Sequence, residues 1–154
     1  MALIAEAEKA EGIGAAFDKF KVAVDDQAAE VTRLVAELYA VGSALREIDA
    51  ASHSPYYAYN FRNILDDLGL VRDSLNYTLD RVFRILGKIG NGDRILTPTA
   101  YRQTWMDIIY HFQREDGWPL LSRLETYRVF LLALCNKLRR SLSPIPILCN
   151  VAGS

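Results

Sequence analysis

From Ile13 to Ile48 the chain carries an almost unbroken helical stripe. Ile13, Phe17, Phe20, Val24, Ala28, Val31, Leu34, Leu38, Val41, Leu45 and Ile48 follow one another at steps of three or four, with Val35 alongside. Such spacing keeps one face of a helix apolar. The stripe predicts a long helix from about residue 15 to about residue 50, roughly 50 Å at a rise of 1.5 Å per residue. The preceding alanine- and glutamate-rich residues predict a short fifth helix or a frayed extension, with Gly12 and Gly14 as the break.

The same pattern returns downstream. Pro55 disfavours helical geometry at Ser54 and suits a first helical turn, so Ser52-His53-Ser54-Pro55 predicts a turn into a second long helix. Phe61, Leu65, Leu68, Val71, Leu75, Leu79, Val82, Leu86 and Ile89 form its inward stripe. Gly69 within that stripe predicts either a close approach by a neighbouring helix or a kink. The run Gly87-Lys88-Ile89-Gly90-Asn91-Gly92-Asp93 stops the helix, since glycine and asparagine suit left-handed turn conformations.

Thr97-Pro98 starts a third helix, with Thr97 as its cap, and Glu115-Asp116-Gly117 closes it. Its stripe is Tyr101, Trp105, Ile108, Ile109 and Phe112. Trp118-Pro119 leads into a fourth helix whose apolar residues, Val129 and Phe130 among them, cover more than half the circumference and so predict burial. Lys137, Arg139 and Arg140 complement the negative end of that helix. The expected architecture is an all-α, elongated antiparallel bundle of four main helices over residues 1–140, with 141–154 an extended or disordered tail.

Function classes can be narrowed from composition. The 51% hydrophobic and 24% charged residues are those of a folding chain. Eighteen basic and nineteen acidic residues nearly cancel, and no Lys/Arg block forms a phosphate-backbone footprint, so nucleic acid is not an expected partner. Neither a secretory start nor a span of about 20 apolar residues is present, which with two cysteines, Cys135 and Cys149, that lack metal-ligand spacing and offer at most one bridge gives a cytoplasmic expectation. Cys135, among leucines and alanine, reads as an inert buried thiol.

No nucleophile elbow or phosphate loop occurs, and the stripes leave no convergent polar interior, so no enzyme, cofactor or small-molecule substrate is expected. Asp107, His111 and Glu115 share one helix face at four-residue spacing and are the weak metal candidate. They lack the second half that metal sites in bundles recruit from a facing helix, and a solvated polar face accounts for them. Two features suit protein contact. Tyr56, Tyr57 and Tyr59 form either an exposed aromatic patch at one end or a cluster with two rings packed inward as the helix begins, and Trp105 and Trp118, read first as core or hinge residues, are also candidates to line a groove between the third and fourth helices.

The strings LVAELYAVGSALREID, LGLVRDSLNYTLDRVFRILGKIG, YRQTWMDIIYHF and LLSRLETYRVFLLALCNKLRR together resemble the helical N-terminal domains of fungal multidomain signalling proteins of the STAND and HeLo-like type. The likeness covers about residues 15–140 and rests on helix pattern and a few aromatic and Leu-Arg positions. It implies a non-enzymatic module that passes a signal by helix contact or self-association, and in some relatives by inserting an N-terminal helix into a membrane. Glu6, Glu8, Lys9 and Glu11 interrupt the apolar surface that insertion requires, which makes a membrane-active effector the second expectation. No downstream domain follows, so the chain would be a fragment, a truncated relative or a stand-alone adaptor.

Overall fold

A computed structural model describes residues 3–87 and 97–140. Every regular element among them is helical: α1 (Ile4–Asp18), the single turn α2 (Phe20–Ala23), α3 (Ala28–Ser52), α4 (Ala58–Gly87), α5 (Pro98–Asp116) and α6 (Leu120–Arg140). Five are long, not four. The expectations for residues 88–93 and for the tail 141–154 lie outside the described residues.

The fifth helix, α1, joins the expected short N-terminal helix to the start of the stripe that opened the sequence. The chain leaves helical geometry at Val24 (φ −125°, ψ 51°) and Gln27 (φ −122°, ψ 20°), and the halves of the stripe fold back on each other. Asp25 and Asp26 sit at this break, where short polar side chains compete with the backbone for hydrogen bonds. Gly12 and Gly14 do not break anything, and the first residues are no frayed extension. Helix α1 runs through both glycines and buries Leu3, Ala7, Ala10, Ile13 and Phe17.

The residue pairs joining α1 to α3 run in opposite order. The Leu3 amide donates to Asp49 Oδ1 at 3.0 Å, Arg46 grips both carboxylate oxygens of Glu11 at 2.8 Å, and Gly14 faces Leu38 and Tyr39. A Cβ on Gly42 would come within 2.9 Å of the Glu11 side chain, so this glycine lets α1 approach. Gly69, by contrast, holds nothing close. Helix α4 continues through it, and a Cβ there would meet no atom within 4 Å.

Ser54 is extended (φ −94°, ψ 124°), as the following proline requires, and a 3₁₀ turn over Pro55–Tyr57 leads into α4. Helix α6 then packs between α3 and α4. Along α3 the order is the same: Arg33 with Glu125, Glu37 with Arg128, and the Ala44 carbonyl with the Cys135 thiol. Along α4 it is reversed: Asn60 with the Leu138 carbonyl, Asp67 with Lys137, and Ser74 with Tyr127. Neighbouring helices thus pack in both senses. The reason is the α5–α6 hinge, which lets α5 follow the C-terminal part of α4 and α6 its N-terminal part, through Tyr77–Glu115 and Asn60–Leu138 respectively.

Candidate interaction surface

The hinge is fixed by chemistry that the sequence carries locally. Gly117 takes the left-handed conformation (φ 61°) and ends α5. Trp118 then turns its ring onto Tyr127, with centroids 5.9 Å apart. Arg123, almost fully buried, is sandwiched between Phe112 and Trp118, its guanidinium carbon 4.7 and 5.0 Å from the two ring centroids. Its Nε donates to the Trp118 carbonyl at 2.8 Å. On the α4 side the phenolic oxygen of Tyr127 lies 2.8 Å from both Ser74 Oγ and Thr78 Oγ1.

These contacts brace a hollow of about 250 Å³ lined by Leu70, Val71, Ser74, Trp118, Thr126, Tyr127 and Phe130. Its rim is apolar and open to solvent: Leu70 is 71% exposed and Phe130 40%. Beyond Phe130 a second hollow of about 470 Å³ runs past Val129 and Ala133. Burial of α6 on most of its circumference therefore does not hold. Helix α6 meets α3 on one side and α4 on another, and its third side, with Val129, Phe130 and Leu132, faces outward. The sequence signal was the excess itself, more apolar positions than two neighbours can cover.

Trp105 does not contribute to this or any surface. It is fully buried, its ring against Phe17 and Phe20, and its indole N–H donates to Gln27 Oε1 at 2.6 Å. The expected Trp105–Trp118 groove is therefore corrected to a groove between α4 and α6 with Trp118 at its head. A large aromatic packed beside the fold-back between α2 and α3 is worth more inside than on a rim. Tyr56 and Tyr59 are exposed, whereas Tyr57 is half-buried. The Tyr57 ring meets that of Tyr56 edge-on and lines a hollow of about 210 Å³ with Ala50, Ala51, Cys135 and Leu138.

Asp107, His111 and Glu115 do not converge as a ligand set. Among the described residues no group of three or more metal-ligating side chains comes together. Asp107 accepts from Gln103 Nε2 at 3.0 Å, and Glu115 accepts from the Tyr77 hydroxyl at 2.6 Å, with Arg81 at 3.7 Å. His111 Nε2 sits 2.9 Å from Glu115 Oε2, an ion-pair distance, without the alignment of a hydrogen bond. The Tyr77 hydrogen bond, helped by His111, Arg81 and Arg123, holds the Glu115 carboxyl below its usual range against a smaller effect of burial. This cluster ties α4 to α5. Cys135 is a buried free thiol whose ionisation burial opposes.

Compared with known proteins, the chain matches no family, no curated protein and no solved structure.

Proposed function

We propose that this chain is a non-enzymatic protein-interaction module and that the α4–α6 face is its contact surface. One observation carries the reading: Leu70 and Phe130 remain exposed beside a hollow braced by the Tyr127–Ser74 and Arg123–Trp118 hydrogen bonds. A preformed apolar groove between two helices suits an incoming helix, which lays its own apolar stripe into it. Aromatic residues at the centre of such a patch, here Trp118, Tyr127 and Phe130, supply large contact area with few rotamers to immobilise.

The resemblance to helical domains of fungal multidomain signalling proteins supports the same reading, in a cytoplasmic adaptor or in one part of a longer protein. The finer architecture belongs with it: an elongated bundle that makes its contact through the side of α4 and α6. Among the described residues no helix is long and apolar enough to cross a membrane. Insertion of α1 would also have to extract Leu3, Ala7, Ala10 and Phe17 from the core.

The test is differential affinity capture from a fungal lysate with the wild-type chain and with Leu70→Asp and Phe130→Asp. Leu70 is 71% exposed and Phe130 40% exposed, and melting curves of both variants show whether the fold is kept. Proteins captured by the wild type and lost from both variants support the assignment. An identical set from all three removes the α4–α6 face from consideration.

A further inference from the structure

The occupant of this face can be read from the charges beside it. On α6 the exposed ridge passes from apolar to basic: Val129, Phe130 and Ala133, then Lys137 and Arg140, all within one helical face. On α4 the exposed ridge is Leu70 flanked by Asp66 four residues before and Asp73 three residues after. Both aspartates are exposed. One ridge thus offers what the other would take.

The levels along the bundle also match. Within the chain Lys137 stands beside Asp67, at 3.8 Å, and Tyr127 beside Ser74, so Ala133 lies at about the height of Leu70. A two-fold axis parallel to the helices keeps heights and exchanges the ridges. It brings the partner's α6 over α4, running opposite to it as α6 does within the chain. The small Ala133 of the partner then faces Leu70, and Lys137 of the partner comes to the height of Asp66. The four-residue steps Leu70–Asp66 and Ala133–Lys137 span the same distance, about 6 Å. Phe130 of the partner falls toward the hollow beside Ser74. A net charge of −1 sets no long-range repulsion against two copies meeting.

We propose that the α4–α6 face binds a second copy of this chain, in an isologous dimer that pairs Asp66 with Lys137 across the two-fold axis. This goes further than the reading above and rests on it. The wild-type chain should show a concentration-dependent monomer–dimer equilibrium by sedimentation. Phe130→Asp should weaken it more than about 100-fold, as removal of a central aromatic does.

Asp66→Lys and Lys137→Glu should each weaken it roughly tenfold, because each places like charges together at two symmetry-related points. Mixing the two single variants should restore association to within about threefold of wild type, since both cross-pairs in the mixed dimer are again opposite in sign. A fold defect cannot be rescued in that way.

A chain that stays monomeric up to roughly 0.5 mM overturns the dimer, leaving the lysate comparison to decide the reading beneath it. A dimer indifferent to Phe130→Asp, or variants that do not rescue each other on mixing, overturns the proposed geometry.

Discussion

Replacing Tyr127 by phenylalanine removes one oxygen from the seam that positions the α4–α6 groove. That oxygen has its full complement of partners. It has one proton to give: donated to the Ser74 carbonyl at 3.2 Å, it leaves the Ser74 and Thr78 hydroxyls, each at 2.8 Å, as donors to its lone pairs, and donated to either hydroxyl it still leaves the other as a donor. Tyr127 is 2% exposed and Thr78 fully buried, so solvent does not replace what is lost. A net hydrogen bond contributes about 0.5–1.5 kcal/mol, and a stranded buried group costs about 1–3 kcal/mol. Tyr127→Phe should therefore destabilise by about 2 kcal/mol, or roughly 4–8 °C in melting temperature for a chain of this length.

Thr78→Val removes the hydroxyl that Tyr127→Phe would strand and keeps the shape. Alone it should cost about 1 kcal/mol, since Tyr127 retains Ser74. The double variant should be less destabilised than the sum of the singles by about 1 kcal/mol. Urea unfolding of the four proteins followed by circular dichroism measures this, provided the slope with denaturant stays constant. Strict additivity, or a Tyr127→Phe variant within about 0.5 kcal/mol of wild type, would refute the argument that these hydroxyls form one saturated cluster.

Other expectations follow from the same packing. Trp105→Ala should cost about 3–5 kcal/mol, a large part of a typical domain's stability, and leave little cooperative unfolding in a calorimeter. Gly117→Ala, forced into the left-handed region at φ 61°, should lower the melting temperature by roughly 2–4 °C, about 1 kcal/mol. Burial works against ionisation of Glu6, but hydrogen bonds from Arg72, its own backbone and Asn76 outweigh it and lower its pKa below the ordinary 4.5. A depressed carboxyl stabilises the fold above its unfolded pKa and loses that contribution as pH falls through the folded value. Stability should thus decline below about pH 4.5, and Glu6→Gln should flatten the decline while lowering stability at neutral pH, read from melting curves across pH.

The sequence by itself determined which segments are helical and where several of them stop. Those instructions are local: a 3.6-residue period, the Thr97 side chain accepting from the Ala100 amide, Pro55 forcing Ser54 extended, and Gly117 free to turn left-handed. Each acts within a few residues of itself. The candidate site was legible only in part, through Trp118 and the excess of apolar residues on α6. Period alone cannot say that one stripe from Ile13 to Ile48 is two helices facing each other, because a fold-back near Val24–Gln27 leaves the spacing of the buried residues intact.

Only the tertiary structure decided which apolar residues found partners. Trp105 and Trp118 are both aromatic at helix-compatible positions, yet Phe17, Phe20 and Gln27 enclose the first while the second stays at a rim. Phe130 and Leu134 differ by one turn of α6, and one is 40% exposed while the other is 3% exposed. Burial is set by which distant helix lies opposite, and that depends on α3, α4 and the Gly117 hinge together, on contacts between residues more than forty positions apart.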